Sequence, residues 1–158
     1  MLSLIAAASI ASAPPVTLQG VGDLRIGMSL AALRHMGARM EDEIEEGSSC
    51  AYWHIPGRDG LAMMVIDGRV VRIDVSDPRY RTPSGARVGM SEAEVRRLYG
   101  PALRVQPHPY TGPEGHYLVY HRRGAAEGLI FETTHDTHRV DSLRIGQWEA
   151  VQAIEGCL

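Results

Sequence analysis

Two stretches decide the fold: residues 26–36 read IGMSLAALRHM, and residues 88–98 read VGMSEAEVRRL. Gly27-Met28-Ser29 matches Gly89-Met90-Ser91 at a spacing of 62, and Ala31, Leu33, Arg34 and Met36 then meet Ala93, Val95, Arg96 and Leu98. Further along, Tyr52-Trp53-His54 is echoed by Val119-Tyr120-His121, Gly60-Leu61 by Gly128-Leu129, and Arg69-Val70 by Arg139-Val140. The offset grows from 62 to 70, which places the insertions in loops, as internal repeats normally do. Each copy opens on a helix. Ser91 with Glu94 three residues on is a capping box, Val95 and Leu98 share a face, and Gly100-Pro101 stops the helix. The first copy starts at Ser29 without the Glu, turns Leu30, Leu33 and Met36 inward and ends at Gly37. Helices this short need something to pack on.

Strand patterns supply it. Cys50–Ile55, Leu61–Ile66 and Arg69–Val75 follow the first helix, with Asp67-Gly68 as a two-residue hairpin signal. His116–His121, Gly128–Thr134 and His138–Ile145 follow the second, with Leu103–Gln106 ahead of them. Strict alternation sets Val71, Ile73 and Val75 against Val70, Arg72 and Asp74, and sets Leu143 and Ile145 against Val140, Ser142 and Arg144. Gln147–Ile154 reads as a C-terminal helix with Trp148, Val151 and Ile154 on one face. The expected class is α+β: two αβββ repeats, 14–82 and 83–158, form a largely antiparallel sheet with helices packed on one face.

The opening "(L/A)R(I/V)GMS" followed by αβββ, twice in one chain, resembles the tandem β-lactamase-inhibitor-protein-like repeat. It is similar also to small outer-membrane assembly lipoproteins that carry the repeat singly. The resemblance covers most of residues 22–146. It implies two sheets side by side, a concave face that grips a partner protein, and a binding role without catalysis.

The chain has 158 residues, 16 basic and 19 acidic, so it is long enough for a core and carries no electrostatic footprint for nucleic acid. Every basic residue is Arg and neither Lys nor Asn occurs, a bias that matches GC-rich coding. Met1–Ala13 (MLSLIAAASIASA) reads as a secretory leader, apolar and then small, ending in the A-x-A triplet Ala11-Ser12-Ala13. No basic residue precedes the apolar run and Pro14 follows Ala13, so either the start lies upstream or cleavage falls nearer Ala8. No run of about 20 apolar residues follows, so no membrane span is expected. Cys50 and Cys157, an even pair in a small exported chain, are expected to bridge. Periplasmic or secreted location is the expectation, as a monomer.

The candidate binding residues are Trp53, Tyr120, Arg72, Arg144, His108, Tyr110, His116 and Tyr117. Trp53 and Tyr120, equivalent in the repeat alignment, are either exposed anchors on the concave face or ordinary core. Arg72 and Arg144 sit on the sheet face that alternation turns away from the helices. The segment Pro107–Tyr117, with three Pro and two Gly, is a stiff loop displaying His108, Tyr110, His116 and Tyr117. It is either a recognition loop or a connector whose prolines cannot enter a sheet.

Seven His raise metal chemistry. His135-x-x-His138 is the close pair, but no further ligand follows at metal spacing, and His54 with His121 converge only if the two copies face each other. No Gly-x-Ser-x-Gly elbow or Gly-rich phosphate loop occurs. The acidic run Glu41–Glu46 reads as a solvated link without calcium-loop spacing. No cofactor or metal is expected. The leading expectation is a protein-binding module, with a small-ligand or envelope-polymer binder in the groove between repeats second, and a His-based metal or enzymatic site third.

Overall fold

The computed structural model describes residues 12–41, 49–134 and 137–157. Most of the segment read as a leader, most of the acidic run and His135 lie outside them.

Ser29 and Ser91 begin helices for the reason the sequence suggests. Ser29 accepts a hydrogen bond from the Ala32 amide at 3.2 Å and opens α1 (Leu30–His35). Ser91 opens α2 (Glu92–Tyr99), and the Glu94 carboxylate returns a 2.8 Å bond from the Ser91 amide to complete the capping box. Both helices lie against one sheet. Its strands are β4 (Arg39–Met40), β5 (Cys50–His54), β6 (Leu61–Ile66), β7 (Arg69–Val75), β8 (Leu103–Pro107), β9 (His116–Tyr120), β10 (Glu127–Thr133) and β11 (Val140–Gln147). Their order is β4-β5-β6-β7-β11-β10-β9-β8, antiparallel throughout, so β7 and β11 pair at the centre. A ribbon that sequence reading missed, β1 (Val16–Thr17), β2 (Gly20–Val21) and β3 (Leu24–Arg25), forms a separate three-stranded sheet.

The main core fills the space between the sheet's first face, the two helices and the ribbon. Leu33 of α1, Val95 of α2, Val16, Val21 and Leu24 of the ribbon, and Met63, Ile73, Phe131, Leu143 and Ile145 of the sheet are buried together. The second face carries α3 (Trp148–Gln152) and the segment after it. Val151 packs there with Tyr117, Val119 and Ile130, and Ala150 with Met64 and Val71. Helices therefore cover both faces, α1 and α2 one and α3 the other. No helix among the described residues is long and apolar enough to cross a membrane.

Two bulges correct the alternation. Val65 pairs with Val70 but Met64 with Arg72, and Thr133 pairs with Val140 but Glu132 with Ser142. Val71 and Asp141 are the extra residues, and each shifts the residues before it to the other face. Val70 and Val140 thus join Ile73 and Leu143 in the main core, while Val71 joins the second face. Leu98 is exposed, because Tyr99 takes the inward position and meets Tyr120 and Phe131 edge-on at 5.1 and 5.5 Å.

The two halves repeat their hydrogen bonds. Gly27 N donates to Val70 O at 2.7 Å and Gly89 N to Val140 O at 2.8 Å. The Arg69 guanidinium reaches Gly27 O and that of Arg139 reaches Gly89 O. The first residue of each helix donates to a turn carbonyl: Leu30 N to Gly68 O at 2.8 Å, Glu92 N to His138 O at 2.9 Å. The Cys50–Cys157 disulfide expected from sequence is present and ties the C-terminal tail to β5.

Candidate functional site

The second face is polar at its centre, and the chain's own tail occupies it. Arg72 Nε donates to both oxygens of Asp74 at 3.0 and 2.9 Å. One of its Nη atoms reaches Ala150 O and Ala153 O, and the other the Tyr52 hydroxyl at 2.7 Å. Arg144 Nε donates to Val151 O at 2.7 Å, its Nη1 to Glu132 at 2.9 Å, and its guanidinium lies over the Tyr117 ring at 4.7 Å. Burial pushes the Asp74 carboxyl up from its ordinary value against the pull of Arg72 and Arg144, and it pushes the Tyr52 phenol up as well.

His108 extends this network. Its Nδ1 accepts the Tyr110 and Thr111 amides at 3.1 and 3.2 Å, so Nε2 carries the proton and donates to Glu132 at 2.9 Å. The imidazole holds the Pro-rich loop closed, which is a connector's task. Of the loop's candidate residues His108, Tyr110, His116 and Tyr117, Tyr110 is the exposed one, at 65%, with its hydroxyl bonded to Glu155 of the tail.

The candidate residues thus divide. Arg72, Arg144, His108 and Tyr117 come together but are buried and bonded internally, not displayed on an open concave face. Trp53 is buried on the opposite face beneath Arg34, whose guanidinium lies 5.0 Å from its ring. Counted from the bulges, its counterpart is Leu118 rather than Tyr120, since Trp53 pairs with Met63 and Leu118 with Phe131. His54 and His121 do not converge. Their strands are five spacings apart in the sheet, about 24 Å. His121 instead stacks on Trp148 at 3.9 Å, where Gly128 leaves room that a Cβ would take.

Tyr120 lines a cleft of about 250 Å³ on the first face. Val16, Thr17 and Leu18 of the ribbon, Thr82, Pro83 and Ser84 of the link between halves, and Tyr99, Tyr120, Arg122, Leu129 and Ile145 line it together. Burial pushes the Tyr99 phenol up, against its bonds to Thr82 and Ser84. The lining mixes apolar side chains with hydroxyls, and Arg122 offers the cation. Sequence reading found Tyr120 but not its neighbours, because the ribbon left no periodic signal.

A second group lies at the other end of α2. Glu92, His116 and His138 place ligand atoms within 4.8 Å of one another. Glu92 Oε1 is 2.8 Å from His116 Nδ1 and accepts from the Thr133 hydroxyl at 2.7 Å. Burial raises the Glu92 carboxyl, but bonds from Thr133 and His116 and the nearby imidazoles outweigh it and hold the group below its ordinary value. Sequence reading paired His138 with His135; folding pairs it with His116 and Glu92.

No protein-family model matches the chain, and no curated protein matches it in sequence. Solved structures do resemble it. The uncharacterized protein yfeY from Escherichia coli aligns with a TM-score of 0.55 at 16% identity, over 85% of this chain and 99% of that one. An extracellular protein containing a SCP domain, from Bacillus anthracis str. Ames, aligns with a TM-score of 0.51 at 13% identity over 94% of this chain, which spans about half (51%) of that protein. At these identities the likeness is one of fold.

Proposed function

We propose that this chain is an exported, non-enzymatic binding module built from two αβββ units, 14–82 and 83–158, and that it holds a small amphiphile in the cleft between them. The observation that carries the reading is the cleft itself: apolar lining from Leu18, Leu129 and Ile145, hydroxyls from Thr82, Ser84 and Tyr99, and a single cation at Arg122. A ligand with an apolar body and one anionic group fits that composition. Duplication is supported by the matched capping serines, the matched bulges and the paired turn carbonyls. These features agree with the resemblance to the tandem β-lactamase-inhibitor-protein-like repeat. Export is supported by the Cys50–Cys157 bond, since such bridges persist in oxidising compartments, together with the leader-like N-terminus. The tail weighs against a partner protein gripped on the second face, because its carbonyls already take Arg72 and Arg144.

Calorimetric titration with decanoate and with decanol tests the cleft. Decanoate is expected to bind at one site, and Arg122→Glu to weaken it about tenfold or more, the size of one lost charge-assisted contact, while leaving decanol unchanged. Tyr120→Ala is expected to weaken both. If neither substitution alters either titration, the cleft is not the binding site.

A further inference from the structure

We propose that Glu92, His116 and His138 form a binding site for one divalent transition-metal ion, with Zn2+ the best match. The three donors are a carboxylate oxygen and two imidazole nitrogens, the ligand classes that suit zinc and its neighbours and not magnesium or calcium. Glu92 Oε1 stands 2.8 Å from His116 Nδ1 and 3.7 Å from His138 Nδ1, and the two rings stack at 5.9 Å with 21° between planes. A tetrahedral ion with bonds of about 2.1 Å sets its donors roughly 3.4 Å apart. The Glu92–His116 separation is shorter than that and opens as their mutual hydrogen bond gives way to the ion, while His138, whose side chain is 55% exposed, has the freedom to move inward. That exposure also leaves a solvent-facing side for a fourth ligand.

The surrounding structure orients the donors. Thr133, fully buried, accepts the His116 amide at 3.0 Å and donates its hydroxyl to Glu92, so the carboxylate is held from the sheet. Such support of a ligand by a neighbouring donor is typical of metal centres. The His138 carbonyl meanwhile accepts the Glu92 amide, so the third donor is tied to the helix start that carries the first.

The other half of the molecule supplies an internal control. At the positions holding the same backbone bonds and pairings, Leu30 replaces Glu92, Ala51 replaces His116, Val65 replaces Thr133 and Gly68 replaces His138. The helix-to-sheet junction is therefore built there from apolar residues and a glycine. Gly68 has φ +73°, which glycine adopts freely, whereas His138 holds φ +48°, a left-handed conformation disfavoured for any residue with a Cβ. Placing imidazole at this position is a local strain of the kind that collects at functional sites.

The test uses the full chain with no affinity tag, stripped with EDTA and titrated with Zn2+ in competition with a chromophoric chelator, with Mg2+ as control. One Zn2+ per chain is expected at micromolar Kd or tighter, with no competition from Mg2+. His138→Gly and Glu92→Gln are each expected to weaken Zn2+ by at least about tenfold. His138→Gly installs the residue the first half already uses, so metal-free protein should melt at the same temperature or higher. Zn2+ should raise the melting temperature of the wild type and not of this variant. Equal Zn2+ affinity in wild type and His138→Gly, or no shift of wild-type melting with Zn2+, overturns the proposal and leaves the cluster an ion pair.

Discussion

At the residue scale, the two arginines at the sheet centre bear the most weight. Arg144 joins Glu132 to Val151 O, and Arg72 joins Asp74 to Ala150 O, Ala153 O and Tyr52, with both guanidinium groups buried and both carboxylates partly so. Removing one partner leaves a buried charge without its counterion. Arg144→Met is expected to lower stability by about 3–5 kcal/mol in urea unfolding, and adding Glu132→Leu to recover part of it. The sequence placed both arginines on the second face, with Asp74 on the same face of the same strand as Arg72, yet Glu132 and Tyr52 went unrecognised as partners, since only the pairing of separate strands brings them there. At the surface, Asp23 pairs with Arg58, and the hydrogen bond from Arg58 holds its carboxyl below the ordinary value against the opposing effect of burial. A lowered folded-state value stabilises above the unfolded one and is lost as pH falls through it. The stability difference between wild type and Asp23→Asn should thus be present near about pH 6 and shrink from about pH 4 downward. It should stay under about 1 kcal/mol, because both side chains face solvent.

At the element scale, local chemistry was largely legible. Ser29 and Ser91 begin α1 and α2 where capping logic puts them, and β5, β6, β7, β9, β10 and β11 stand within a few residues of their hydrophobic runs. Ser91→Ala is expected to cost about 1 kcal/mol, because it removes the box with Glu94, and Ser29→Ala less, because no returning carboxylate exists there; thermal unfolding checks both. The ribbon β1–β3 and the edge strand β4 escaped notice. Each of these strands is two residues long, too short for a period to register. The bulges at Val71 and Asp141 escaped for a different reason. An extra residue in one strand is defined only by its partner, so alternation read along a single strand put Val70 and Val140 on the wrong face.

At the scale of the whole molecule, the tail decides which surface remains open. The segment from Trp148 to Cys157 crosses the second face, held by the arginines, by Tyr110 through Glu155, and by the disulfide. The bond spans 107 residues of chain, and a loop of that size is worth about 4–5 kcal/mol in the chain-entropy account. Cys157→Ser is expected to lower the unfolding free energy from urea titration by a matching amount, and dithiothreitol to do the same to the wild type but nothing to the variant. With the tail on the second face, the cleft lined by Tyr120 and the group around His138 lie at opposite ends of α2, an eight-residue helix about 12 Å long.

By itself the sequence determined the α+β class, the two helix starts, most of the strands, and the bond between Cys50 and Cys157. Those features follow from capping, periodicity and composition, which act over a few residues. Tertiary structure alone decided strand order, the face each side chain takes after a bulge, the burial of Trp53, Arg72, Arg144 and His108, and the meeting of Glu92, His116 and His138. Those depend on contacts between residues far apart in the chain, and no local pattern encodes the partner across a sheet.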